Sequence, residues 1–159
     1  MTMKIRLITT GKTNVGWVKA GLDLYLSRIS HYANFSMTEI PDIRNASQAG
    51  REVLKVKEGE AILKNISPGD YVILLDEKGR EYTSAEWASR LGNRIAHSSS
   101  DIVFVIGGAY GFSEAVYARC DEKMSLSRMT FSHQMVRVIF AEQLYRAFTI
   151  MRGEPYHHE

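Results

Sequence analysis

A chain of 159 residues with a formal charge of +2 and one cysteine excludes several function classes at once. It is long enough for one domain that buries about two-thirds of its unfolded surface, yet too weakly charged to grip nucleic acid through its global field. A single cysteine excludes an intramolecular disulfide and a cysteine metal cluster, and the five histidines lack ligand spacing, so no metal is expected. No apolar run approaches the roughly 20 residues of a membrane span. The first residues, Met-Thr-Met-Lys-Ile-Arg-Leu-Ile, show no signal-peptide pattern, which makes the cytoplasm the expected compartment.

In chain order, Lys4 to Thr10 reads as a strand that stops at Gly11. Asn14 to Ser30 carries apolar residues at helical spacing (Trp17, Val18, Leu22, Tyr25, Leu26, Ile29). Phe35 to Ile40 alternates and halts at Pro41, as a second strand would. Asn45 to Gln48 resembles a capping box opening a charged helix through Asn65. A turn at Ser67 to Asp70 precedes Tyr71 to Leu75, an apolar run expected to be buried on both faces and left at Asp76 to Gly79. Thr83 and Glu86 form a capping box for a helix through His97. Asp101 to Ile106 is a second apolar run. Gly107 to Gly111 follows it, Ser113 caps a short helix, and Met124 to Ser127 is a weaker strand. The last helix has Ser132 as its expected N-cap and Gly153 at its C-cap. Twelve of its seventeen residues from Met135 to Met151 are apolar or aromatic. Such a helix is covered on several sides, by its own core and a partner chain or by the core alone.

Strands alternating with helices predict an α/β fold, a mainly parallel sheet with helices on both faces. Ligands of such sheets bind beyond the carboxyl ends of the strands. Three loops leave apolar strands there, after Leu75, after Ile106 and after Ser127. Gly107 to Gly111 is neither G-x-G-x-x-G nor a P-loop. The run Leu126 to Phe131 offers backbone polar groups beside apolar side chains, which suits an adenine. No nucleophile–base–acid pattern is present, and Cys120 reads as a buried residue of a helical segment. Arg137 reads as a surface charge, and Glu142 and Arg146 have the spacing of a helical ion pair. The tail Arg152-Gly-Glu-Pro-Tyr156-His157 is either a frayed terminus or a set able to bind phosphate, stack on a base and move a proton.

Three stretches carry a resemblance: Phe104 to Gly111, Leu126 to Met135, and Glu142 to His157. Together they resemble the ribosomal RNA large subunit methyltransferase H family, minimal members of the SPOUT methyltransferases. The likeness spans the whole chain and is dense from Ile102 to His157. It implies a single SPOUT domain over residues 1–159 with a C-terminal trefoil knot, a homodimer, and S-adenosyl-L-methionine as methyl donor. It further implies methylation at N3 of a pseudouridine in helix 69 of 23S ribosomal RNA, and the modest net charge makes a folded surface of the assembled ribosome, rather than free RNA, the expected target. Carried over by motif, the donor contacts fall on Leu75, Gly107, Leu126, Ser127, Arg128, Met129, Thr130 and Phe131. The expected catalytic residues are Arg152, Tyr156 and His157. One departure is Ala109-Tyr110 after the double glycine, where Tyr110 is expected to reshape the rim. Three other readings stay open: a SPOUT enzyme acting on tRNA or another RNA, a non-enzymatic ribosome-binding factor, and a flavodoxin-type nucleotide module.

Overall fold

The computed structural model describes residues 3–45 and 48–158. Among them, five strands alternate with five helices: β1 (Lys4–Thr10), α1 (Gly16–Ile29), β2 (Asn34–Ile40), α2 (Arg51–Lys64), β3 (Tyr71–Glu81), α3 (Ser84–His97), β4 (Ile102–Ile106), α4 (Glu114–Arg119), β5 (Glu122–Ser125) and α5 (Met135–Met151). The strands form one parallel sheet in the order β2-β1-β4-β3-β5. Every residue of β4 is buried, as a central strand covered on both faces requires.

Alternation along the strands divides the core. Ile5, Leu7, Ile73, Phe104 and Ile106 pack toward α1, α3 and α5, while Ile8, Val72, Leu74, Val103 and Val105 pack toward α2 and α4. Phe104 meets Phe140 of α5 with ring centroids 4.7 Å apart, and Trp87 of α3 lies edge-on to Phe104 at 6.0 Å. Each such side chain contributes about 1.5–3 kcal/mol through burial, so the α5 seam is a main source of stability.

Register fixes where the loops emerge. Leu75 pairs with Ile106 on one side and Met124 on the other, and Ile106 pairs with Thr9. Ile106, Leu75 and Met124 of three adjacent strands therefore stand level, and the segments that follow them leave side by side. β3 does not stop there, contrary to the sequence expectation. Residues 76–79 bulge out of the ladder, and Arg80 and Glu81 pair again with Met124 and Ser125. A bulge of this kind gives no apolar signature, because its residues are polar ones and a glycine: Asp76 and Glu77 bond to Tyr117 and Thr130, and Gly79 lies against the β5 backbone.

The capping box at Thr83 and Glu86 is present, with Thr83 N–H donating to Glu86 (2.8 Å) and Glu86 N–H to Thr83 (3.1 Å). The one expected at Asn45 is not the start of α2, which begins at Arg51 with Gly50 as N-cap. Asn45 itself adopts φ of 58°, a turn conformation, and Ala46 and Ser47 lie outside the described residues. β5 ends at Ser125, two residues earlier than expected. The N-cap of α5 is Gln134, which makes no side-chain cap bond, rather than Ser132 as expected; Ser132, two residues earlier, still accepts from Met135 N–H at 3.0 Å through its hydroxyl. At the other end Gly153 has φ of 67°. Its N–H donates to Ile150 and that of Glu154 to Thr149, a Schellman closure.

Candidate active site

The loops after β3, β4 and β5 enclose a cleft of about 390 Å³ with the start of α5. Leu75, Asp76 and Glu77 come from the first loop, and Ile106, Gly107, Gly108 and Phe112 from the second. The third contributes Leu126, Ser127, Met129, Thr130 and Phe131, followed by His133 and Val136. Seven of the eight residues expected to contact the donor thus line one space. Arg128 is the exception: its side chain is 89% exposed and pairs with Glu81 at 2.8 Å, outside the lining. It ties the third loop to the β3 extension. Thr130 ties the same loop to Glu77 at 2.9 Å, and the Ser127 hydroxyl accepts from Met129 N–H at 2.9 Å.

Behind the glycines the packing is close. A Cβ on Gly107 would stand 2.9 Å from the Phe112 ring, and one on Gly108 2.7 Å from the Glu58 carboxylate. Glu58 belongs to α2, is 8% exposed, and has no hydrogen-bond partner on Oε1. Burial, with Asp42 nearby, pushes its carboxyl above the ordinary carboxylate range. Sequence reasoning missed Glu58, because a charged residue in a charged helix gives no sign of burial. Tyr110 does not shape the cleft rim as expected. It lies under Arg51 of α2 at 4.9 Å and is absent from the lining.

At the mouth, Asp76 accepts from Lys78 N–H at 2.9 Å and from the Tyr117 hydroxyl at 2.5 Å. Burial and this carboxylate push the Tyr117 phenol up to about 12, so it remains a donor. Cys120, two residues before β5, is the C-cap of α4 rather than a helical residue. It is half-buried, and burial raises its thiol.

Arg137 corrects the surface expectation most strongly, for it is fully buried. Its guanidinium donates to the backbone carbonyls of His133 (3.0 Å) and Thr10 (2.8 Å) and to the Thr13 hydroxyl (2.8 Å), and lies 3.4 Å from Glu39. Burial pulls its proton affinity below the ordinary arginine value. Arg137 pins the first turn of α5 to the β1–α1 loop, and Gln134 adds a bond to Lys12 O at 3.0 Å.

The tail lies elsewhere. α5 runs seventeen residues, about 25 Å, between the cleft and Arg152. Tyr156 donates to Glu142 at 2.8 Å, and Glu142 pairs with Arg146 at 2.9 Å, the expected helical ion pair. His157 Nδ1 lies 2.9 Å from Arg146 Nη1. Arginine only donates, so Nδ1 is the acceptor there. Burial, then hydrogen bonding to Tyr25 and Glu142, raises the Tyr156 phenol. Arg152 sits over the Tyr32 ring at 4.8 Å. Within one chain, Tyr156 and His157 meet on Glu142 and Arg146, Arg152 stands apart on Tyr32, and none of the three lines the cleft.

The family described as "Predicted SPOUT methyltransferase" matches residues 3–157. The chain belongs to the SPOUT methyltransferases. It is 53% identical to "Ribosomal RNA large subunit methyltransferase H" of Parabacteroides distasonis over 99% of this chain and 100% of that protein. Proteins of the same name from Christiangramia forsetii and Porphyromonas gingivalis are 47% and 48% identical, over 98% and 99% of this chain and 99% and 100% of their own length. Among solved structures, a probable methyltransferase from Bordetella pertussis superposes with a TM-score of 0.60 at 12% identity, covering 92% of this chain and 95% of that one. At that identity the likeness speaks for the fold alone. This SPOUT chain is an RNA methyltransferase by membership.

SPOUT methyltransferases use S-adenosyl-L-methionine, and the lining fits that cation. Leu75, Ile106, Leu126, Met129 and Phe131 give apolar walls for a purine face, and Asp76 and Glu77 supply negative charge. Neither lysine nor arginine is in the lining. A flavin mononucleotide would set its phosphate against two carboxylates with no cation to hold it, which disfavours the flavodoxin-type reading.

Proposed function

We propose that this chain methylates N3 of a pseudouridine in helix 69 of 23S ribosomal RNA, as a homodimer acting on the assembled ribosome, with S-adenosyl-L-methionine held among Leu75, Gly107 and the loop from Leu126 to Phe131. The observation that carries the reading is the meeting of three separate strand-end loops in one apolar, acid-rimmed cleft. The names borne by the full-length relatives point to ribosomal RNA of the large subunit. A single domain and a C-terminal trefoil knot belong to the same proposal.

When bound, the donor supplies a methyl group already activated on a sulfonium, so the chain needs no covalent nucleophile. The apolar walls exclude water and orient the adenosyl group, and alignment of this kind supplies on the order of 7–11 kcal/mol. The pseudouridine N3 must lose a proton to attack. Arg152 stabilises the negative charge that develops on the imide. Tyr156 is held protonated and acts as a donor that positions Glu142. His157 takes the proton at Nδ1 once RNA draws Arg146 away.

About 25 Å of α5 separates these groups from the cleft of their own chain, so they serve the cleft of a second copy. Trp17 (59% exposed), Leu24 (47%) and Met135 (39%) leave apolar surface on α1 and α5 for that copy to cover.

The test is transfer of labelled methyl to 50S subunits, 70S ribosomes and tRNA side by side, with the product nucleoside identified by mass. Label in N3-methylpseudouridine from 70S particles is expected. Label in tRNA alone overturns the substrate, and a monomer by light scattering overturns the shared site.

A further inference from the structure

A second cavity is larger than the donor cleft. It is a trough of about 700 Å³ between α3 and the edge of the sheet at β5. Its floor is Glu122, whose side chain is 12% exposed. Tyr71 donates to Glu122 at 2.9 Å and Tyr82 at 3.1 Å, while Arg90 adds two contacts at 3.2 and 3.3 Å. One carboxylate thus fixes two aromatic rings and one guanidinium. Burial and the same carboxylate raise both phenols, so they remain donors.

Two more arginines lie on those fixed rings. Arg94 stacks on Tyr71 with its guanidinium carbon 3.5 Å from the ring centroid, and Arg80 on Tyr82 at 5.0 Å. Neither Arg80 nor Arg94 forms a salt bridge among the described residues. The other carboxylate of the trough, Glu86, is committed to the Thr83 amide. Stacking holds a guanidinium plane in place and leaves its edge donors to a ligand. The trough therefore presents two preorganised cations that no salt bridge among the described residues engages, although Arg80 also helps to lower the Glu86 carboxyl, after that group's bonds to Thr83.

The β3 extension joins this trough to the donor cleft. Arg80 and Tyr82 face the trough, whereas Glu81 between them pairs with Arg128 of the third cleft loop. A chain lying in the trough would run on toward the place of methyl transfer.

We infer that the trough between α3 and β5 holds the phosphodiester backbone of ribosomal RNA, with phosphate oxygens on Arg80 and Arg94. This rests on the RNA substrate proposed above and names the surface that grips it. Arginine planes stacked on tyrosines suit a polynucleotide, which offers both phosphates and flat bases. A carboxylate-bearing protein segment would use the charge but leave the stacked planes without a counterpart.

The test compares the wild type, Arg80→Ala/Arg94→Ala, and a control pair with the same loss of charge on α2, Lys57→Ala/Lys64→Ala. Binding of a labelled single-stranded ribosomal RNA oligonucleotide is titrated at several salt concentrations. Ribosome methylation gives KM and kcat, and calorimetry gives donor affinity. The arginine pair is expected to weaken RNA binding about tenfold and to flatten the dependence of log K on log salt by about 1–2. KM for ribosomes rises, while donor affinity stays at the wild-type value. Arg80→Lys/Arg94→Lys, which keeps the charge but loses the stacked plane, falls between the two. The inference is overturned if the arginine pair behaves like the control pair, or if polyglutamate rather than RNA displaces the oligonucleotide. Failure of the wild type to methylate ribosomes, with RNA binding still lost on removing the arginines, would count against the proposed reaction and not against this surface.

Discussion

The two ends of α5 carry similar side chains to opposite effect. At its start, Arg137 is fully enclosed and every partner lies in the same chain: Thr10, Thr13, Glu39 and His133. At its finish, Arg146, Glu142, Tyr156 and His157 bond one another in half-exposed positions. The first arrangement encloses the guanidinium away from any ligand and serves to hold the cleft in shape. The second is held by short-range bonds that an incoming anion can exchange for its own. Burial, rather than residue type, separates the positioning cation from those available for chemistry.

The largest expected effect comes from breaking the enclosed end. Arg137→Met should cost about 3–4 kcal/mol, because the carbonyls of Thr10 and His133 and the Thr13 hydroxyl lose a charged donor at an enclosed site. Chemical denaturation measures it, and a loss below 1 kcal/mol would mean that the guanidinium is not buried as described. At the other end, Tyr156→Phe with His157→Ala should lower methyl transfer on the order of 100-fold and leave donor affinity nearly intact. An equal loss of donor binding, read by calorimetry, would erase the contrast between the two ends.

A smaller effect sharpens the description of the cleft. Gly108→Ala should weaken donor binding by about 1–3 kcal/mol, since its methyl group would press on the Glu58 carboxylate. The combination with Glu58→Ala, which removes the obstacle, should restore part of that loss.

The smallest effect is Glu58→Gln. The folded state raises this carboxyl above its unfolded value, so its contribution to stability is full below the unfolded pKa and is lost as pH rises through the folded one. The amide should therefore raise Tm at pH 8 by a few degrees, on the order of 1 kcal/mol, and change little at pH 4. A gain of equal size at both pH values would show that the carboxyl is not the titrating group.

Strand and helix order, the Thr83 box, the Gly153 closure and the likeness to SPOUT methyltransferases were all written in local residue patterns. Short-range chemistry specifies each of them: a hydroxyl three residues from a carboxylate, a glycine after an apolar run, an unbroken β-branched stretch. Local pattern also put Leu75, Gly107 and the 126–131 loop at the carboxyl edge of the sheet. Only the tertiary structure decided that Arg137 is enclosed, for its partners Thr10 and Thr13 lie 127 and 124 positions away and no window on α5 contains them. The same holds for Glu58 behind Gly108, and for the bulge after which Arg80 and Glu81 pair again with β5. Burial of a charge and the far side of a ladder are sums over distant segments, and a sequence read in order carries no term for them.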